Sequence, residues 1–238
     1  MSDLLENRKV ILITGTSKGI GRYLAEYYVE RGFYVIGCSR NSIDFSNKLY
    51  KHFEIDITDE KNIIRIFNFI RKEIKRLDIL INNAVSNPNI ISSALLSYTD
   101  IEKAYKTNVF SNMIFCRESI KIMMRKKFGR IVNIGSMVTK HESLGGILYS
   151  PTKAAINSYT KVLSKEINRV GITVNVVAPS AIKTELSDGI DKFVLAEILS
   201  RNAITDFGKM SDISNLIDLL IKNESDALTG QVFYLGGV

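Results

Sequence analysis

The stretch Val10-Ile11-Leu12-Ile13-Thr14-Gly15-Thr16-Ser17-Lys18-Gly19-Ile20-Gly21 decides the fold. Its first half is an apolar run without alternation, as in a parallel strand covered on both faces. Its second half is a glycine-rich turn. Beyond it, Ile20, Leu24, Tyr27 and Tyr28 recur at helical spacing. A strand that leaves through glycines and re-enters as a helix presents backbone N–H groups and a helix N-terminus, which together suit an anion. Gly15 permits the tight exit, while Gly19 and Gly21 allow close approach to a pyrophosphate. The spacing is G-x-x-x-G-x-G rather than the commoner G-x-G-x-x-G. Its position between a strand and a helix sets it apart from a glycine-rich surface turn.

The same alternation continues along the chain. Apolar runs at Val10–Thr14, Tyr34–Cys38, His52–Ile55, Ile79–Asn82, Arg130–Ile134, Thr173–Ala178 and Val232–Leu235 are candidate strands. Amphipathic segments at Gly19–Arg31, Lys61–Lys75, Ile101–Lys127 (one helix or two), Pro151–Val170 and Asp212–Lys222 lie between them. This order predicts an α/β chain, one doubly wound domain over residues 1–238 with a seven-stranded parallel sheet and helices on both faces. Right-handed crossovers then put a ligand crevice at the carboxyl ends of the strands. Residues 183–209 break the pattern beyond the sixth strand, with a helical piece at Phe193–Leu199, and are expected to form a lid over a substrate.

Composition narrows the classes. With 238 residues, 45% hydrophobic and 24% charged, the chain can bury one sizeable core. No apolar stretch reaches the roughly 18 residues of a membrane span, and the start carries acids without an apolar signal core, so a cytoplasmic protein is expected. Cys38 and Cys116 have neither metal nor disulfide spacing and read as small buried hydrophobes; His52 and His141 lack a third ligand. The net charge of +7 is spread along the chain, with no nucleic-acid motif. The cluster Arg125-Lys126-Lys127 with Arg130 reads first as a solvated helix end.

Two further patterns carry chemistry. The second strand ends at Cys38-Ser39-Arg40. An acid there would bind the ribose 2′-hydroxyl of NAD, whereas an Arg accommodates the 2′-phosphate of NADP. No acid stands at 38–41, and Arg40 with Lys18 of the glycine turn favours NADP(H). Downstream, Tyr149 and Lys153 stand four apart and share a helix face. A phenol ordinarily titrates near pH 10, and a neighbouring ammonium is expected to lower that value. Ser136 follows the strand Arg130–Ile134 directly, and Asn108 is a polar amide inside a helix.

The chain resembles the short-chain dehydrogenase/reductase family over essentially its whole length. The matching pieces are Thr14-Gly15-x-x-x-Gly19-x-Gly21, Asp56, Asn82-Asn83-Ala84, Asn108, Ser136, Tyr149-x-x-x-Lys153, Ala178-Pro179, Thr184 and Thr229-Gly230-Gln231. The resemblance implies a Rossmann domain and a hydride-transfer reaction. Tyr149 exchanges a proton with the substrate oxygen, Lys153 tunes Tyr149 and bonds the nicotinamide ribose, Ser136 polarises the substrate, and Asn108 positions a water. Nucleotide contacts are implied at Gly15, Ser17, Lys18, Gly19, Ile20, Gly21 and Arg40, and by Asp56 and Ile57 at the adenine. Asn82 and Ala84 are implied near the adenosine-side ribose, with Pro179, Ile182 and Thr184 on the nicotinamide side.

Two positions depart from the family pattern: Val85 and Ser180 stand where glycine is usual. Within the family the chain looks most like bacterial 3-oxoacyl-[acyl-carrier-protein] reductases, through Met124-Arg125-Lys126-Lys127-Phe128-Gly129-Arg130 and Gly171-Ile172-Thr173-Val174-Asn175-Val176-Val177-Ala178-Pro179. That likeness implies a homotetramer and an acidic carrier protein docked at Lys127 and Arg169, the latter displaced by one residue. The expectation is an NADPH-dependent carbonyl reductase, first of a 3-oxoacyl thioester. The alternatives are a dehydrogenase or reductase of a sugar or polysaccharide precursor, and a non-catalytic nucleotide-binding protein.

Overall fold

The structure, a computed structural model, describes residues 5–86, 92–142, 146–183 and 192–237. Seven strands form one parallel sheet in the order β3-β2-β1-β4-β5-β6-β7. They are β1 Val10–Thr14, β2 Tyr34–Ser39, β3 Tyr50–Glu54, β4 Ile79–Asn82, β5 Gly129–Ile134, β6 Ile172–Pro179 and β7 Val232–Leu235. Every residue of β1, β2, β4, β5 and β6 is buried, which is why those runs read as unbroken apolar stretches. The edge strands β3 and β7 are half-exposed. β3 begins two residues before the predicted His52, because an edge strand covered on fewer sides carries Lys51 and Glu54 among its apolar residues and blurs the signal.

The helices are α1 Gly19–Glu30, α2 Glu60–Phe69, α3 Tyr98–Tyr105, α4 Ser111–Met123, α5 Val138–His141, α6 Tyr149–Ile167, α7 Lys192–Ser200 and α8 Met210–Leu220. α1 and α8 pack together on one face of the sheet; α2 packs on α4 and α3 on α6 on the other. Tyr27 and Tyr28 of α1 both donate to the Asp218 carboxylate of α8, tying the first layer. Phe67 and Phe115 meet between α2 and α4, their ring centres 5.9 Å apart. The predicted segment 101–127 is two helices joined by a π turn, Lys106–Phe110, in which the Ser111 amide reaches back to the Lys106 carbonyl. A second π turn, Ile70–Ile74, ends α2. Such turns insert one residue per turn without changing composition, so hydrophobic spacing does not reveal them. The short α5 also has no apolar period to betray it.

Strand order reverses between β1 and β4, and there the crevice opens at the carboxyl edge. The start of α1 faces it. Asp59 caps α2 and Ser97 caps α3 with side-chain hydrogen bonds, but Lys18 at the head of α1 makes no side-chain cap. The head of α1 thus differs from those of α2 and α3 in having no side-chain cap.

Gly21 lies where a Cβ would come within 2.1 Å of the Gly15 carbonyl oxygen and 2.4 Å of the Asn83 amide nitrogen. Gly21→Ala should force the turn and helix apart and destabilise the protein by about 1–3 kcal/mol, as overpacking does. Chemical denaturation measures this, and an unchanged midpoint would contradict the packing described.

Candidate active site

The glycine turn is sewn to both neighbouring strands. Gly15 and Thr16 donate their amides to the Cys38 carbonyl at the end of β2. The Thr14 hydroxyl oxygen accepts the amides of Asn83 and Ala84 beyond β4, and the Asn83 side chain donates to the carbonyls of Thr14 and Gly15. Gly15 adopts φ of +75°, and a Cβ there would lie 2.8 Å from Ala84 Cα. Gly19, with φ of +57°, begins α1. This is a cradle of amides with no acid in the first helical turn, and it fits a pyrophosphate. Ser17 and Ile20 are half-buried along it, and Lys18 is exposed.

Arg40 is exposed at the end of β2. The first acid after it, Asp44, accepts from Arg22 at 2.8 Å, which holds its carboxyl below the usual range. Beyond β3, the Asp56 carboxylate accepts from the amide and hydroxyl of Thr58, while Ile57 is buried. Asn82 turns its side chain into the core, donating to Asn133 at 2.9 Å and to the Cys116 sulfur at 3.3 Å. Its side-chain oxygen is buried without a hydrogen-bond partner among the described residues. Ala84 is half-buried beside Gly15. On the other side of the crevice, Pro179 accepts the Met137 amide, and Ile182 bridges to Gly208. Thr184 lies outside the described residues.

β5, α6 and the π turn bring the remaining groups together. Tyr149 is the first residue of α6 and Lys153 stands one turn later. The Lys153 ammonium, 5% exposed, donates to the Ile134 carbonyl at 2.6 Å and sits 5.7 Å from the Tyr149 ring centre. Two residues past Ile134, the Ser136 hydroxyl hydrogen-bonds Tyr149 and accepts the Val138 amide at 3.2 Å from the head of α5. Asn108, in the π turn, exchanges two hydrogen bonds with the main chain of Ser86 and donates to the Thr152 hydroxyl at 3.0 Å. Its amide thus clamps the loop after β4 to α6.

Burial dominates the titration of this group. It pushes the Tyr149 phenol up to about 12, against an opposing hydrogen bond from Ser136, and pushes the Lys153 amine down to about 8. Without a ligand, loss of solvent around the phenol sets this direction, against the lowering expected from Lys153, whose ammonium is itself desolvated and turned to Ile134.

Four polar residues have roles that the sequence does not reveal. Thr14, Asn83, Ser86 and Thr152 all adjoin expected positions, but their role is to fix the crevice walls, which only the meeting of distant strands reveals. Val85 has no positive φ, so its backbone conformation does not require glycine. Ser180 likewise has ordinary φ, and its hydroxyl accepts from the buried Asn202 side chain at 2.7 Å. The Asn202 oxygen in turn meets His141 of α5 at 2.7 Å. Lys127 and Arg169 are exposed at the amino edge of the sheet, before β5 and β6. They lie away from Tyr149 by the length of α6, about 28 Å for its 19 residues.

Comparison with known proteins matches the chain along its length. The family model described as short chain dehydrogenase matches residues 9–194. The chain belongs to the short-chain dehydrogenase/reductase family, a family of oxidoreductases. It is 31% identical over 236 residues to the 3-oxoacyl-[acyl-carrier-protein] reductase FabG of Salmonella typhimurium, covering 96% of each chain. Among solved structures it resembles ElxO with NADP bound, with a TM-score of 0.86 and 29% identity over 96% of this chain and 97% of that one. It also resembles a 4-hydroxyisoleucine dehydrogenase complexed with NADH, with a TM-score of 0.84 and 29% identity over 97% and 98% of the two chains.

The Ser180 contact has a measurable consequence. Ser180→Gly restores the residue usual in the family yet strands a buried donor of Asn202, and should lower stability by about 1–3 kcal/mol. Equal or higher stability in denaturant would show that the Asn202 bond contributes nothing.

Proposed function

We propose that the protein is an NADPH-dependent reductase that converts a carbonyl to a secondary alcohol, with a 3-oxoacyl thioester as the first substrate class. The observation that carries this reading is the buried Lys153 ammonium. Among the described residues Ile134 is its one hydrogen-bond acceptor, so two of its three N–H donors are left for a ligand beside Tyr149. The sugar-ring hydroxyls of a nicotinamide nucleotide supply such acceptors.

When bound, the nucleotide supplies the hydride. The chain does the rest. The amides at the head of α1 hold the pyrophosphate, and Lys18 and Arg40 hold the 2′-phosphate. Ser136, oriented by the Val138 amide, donates to the substrate oxygen and polarises the carbonyl. Tyr149, kept neutral by its raised value, gives that oxygen its proton as negative charge develops there. Lys153 lies where its charge stabilises the resulting phenolate. Asn108 acts by holding the crevice wall against α6; with three of its hydrogen-bonding positions taken, a side-chain role in placing water is no longer the simplest one.

The expected lid at 183–209, whose residues 184–191 lie outside the described residues, is assigned to covering the substrate; in its described part Gly208 joins Ala181 and Ile204 joins Gly236 through main-chain bonds. A cytoplasmic location is supported by the likeness to the bacterial reductases. Among the described residues no helix is long and apolar enough to cross a membrane. A homotetramer is supported by the likeness to the bacterial reductases and by exposed Phe110, Met113 and Val162 along the long helices. Lys127 and Arg169 are far from Tyr149 of their own subunit, so a carrier protein docked on them serves a neighbouring subunit's site.

Purified protein should oxidise NADPH in the presence of an acetoacetyl thioester, and Tyr149→Phe should lower kcat at least about 100-fold, the scale of a lost general acid. Full activity in that variant overturns the mechanism. Turnover of a nucleotide-linked sugar with none of the thioester assigns the enzyme to sugar chemistry instead. The rate of carbonyl reduction should also fall as pH rises through about 8, because Lys153 is charged below that value and loses its proton above it. A kcat/KM profile that stays flat well above pH 8 would contradict a role for the ammonium.

A further inference from the structure

A continuous chain of polar side chains crosses the outer part of the crevice, from the glycine turn to β3 and back to β2. The hydroxyls of Thr16 and Tyr50 lie 2.9 Å apart, and the Tyr50 hydroxyl lies 2.9 Å from Nδ1 of His52. On the far side of the imidazole, Nε2 lies 3.1 Å from the Ser39 hydroxyl and 3.2 Å from the Asn41 carbonyl. Ser39 itself donates to that carbonyl at 2.8 Å. Because a carbonyl can only accept, Nε2 carries the proton, and Nδ1 of the neutral ring then accepts from Tyr50. The Tyr50 oxygen is left to accept from Thr16, so every proton has one direction. Burial holds His52 below its ordinary value and pushes Tyr50 up to about 12, which keeps both neutral.

The sequence makes room for this chain. Gly37, in the middle of β2, lies where a Cβ would come within 2.1 Å of the Tyr50 hydroxyl and 2.6 Å of the Thr16 hydroxyl. Glycine inside a strand weakens it unless something must approach closely. The loop after Arg40 is also pinned from α1: Arg22 binds Asp44 and stacks on Phe45, whose ring packs on Tyr50 with centres 5.0 Å apart. Thr16 is two residues before Lys18, and Ser39 is one before Arg40.

We propose that Tyr50 and His52 are specificity-determining positioning residues, which join the Lys18 turn to the Arg40 loop and so set the spacing of the two cations for a ribose 2′-phosphate. This deepens the NADPH reading and rests on it. A nucleotide without the phosphate gains nothing from that spacing. The two residues therefore act on the preference between the nucleotides rather than on nucleotide binding in general.

The test is direct titration of NADPH and NADH, followed by nucleotide fluorescence, with thermal melting of each variant alongside. Tyr50→Phe keeps the ring and removes the bonds to Thr16 and His52; it should weaken NADPH roughly five- to tenfold, the scale of one or two lost hydrogen bonds, with NADH within about twofold. His52→Ala should behave alike, and His52→Gln, which can still donate to Asn41, should recover part of the loss. Equal weakening of both nucleotides, or a lower melting temperature with the preference intact, overturns the proposal. Arg40→Ala separates the two ideas. If it weakens NADPH selectively while the Tyr50 and His52 variants do not, the relay is wrong and the NADPH reading stands. If it affects both nucleotides equally, the NADPH reading falls and the relay falls with it.

Discussion

The hydrogen bond from the Lys153 ammonium to the Ile134 carbonyl is the constraint on which the site depends. Taking an ammonium out of water is costly unless it is bonded, and one acceptor satisfies it incompletely. Yet this one bond joins α6, one turn in from Tyr149, to the end of β5, two residues before Ser136. It holds Tyr149 beside Ser136 at the carboxyl edge of the sheet. Its incompleteness is also its use, since a buried cation with donors to spare is a binding site for a neutral oxygen-rich ligand. The depressed value of the amine is the titration counterpart of the same burial.

The remaining walls are built on the same plan, with polar side chains bonding strand ends that the backbone ladder no longer joins. Thr14 and Asn83 close the gap between β1 and β4, and Asn108 clamps the loop beyond β4 to α6 through Thr152. Ser180 and Asn202 tie the end of β6 to α5 through His141. Each bond is modest alone. Together they hold an open crevice without filling it, which apolar packing could not do. The glycines at 15 and 21 allow the turn to lie against Ala84 and Asn83 at distances no side chain would tolerate.

The sheet was legible because both-face burial leaves an unmistakable mark. Val10–Thr14, Ile79–Asn82 and Val232–Leu235 are the strands that their residues predict, and the others differ by one or two residues at one end or both. The π turn at Lys106–Phe110 was hidden, since one inserted residue alters hydrogen bonding and not composition. The cluster at 136, 149 and 153 was legible as residue types at a helical interval and a strand end. Its electrostatics were not, because desolvation depends on what distant segments pack over it. The direction of the Asn82 side chain was equally hidden, being set by Asn133 and Cys116 on other elements. The role of Ser180 required Asn202 and His141, far from it in sequence, to be seen beside it.

The most direct measurement is the titration of the Lys153 side chain by NMR in selectively lysine-labelled protein, with and without NADPH. This amine should titrate near 8 in the free protein, apart from the other lysines, and its resonance should move when the nucleotide binds. An amine that titrates with the surface lysines and ignores the nucleotide would contradict the burial, the spare donors and the mechanism built on them.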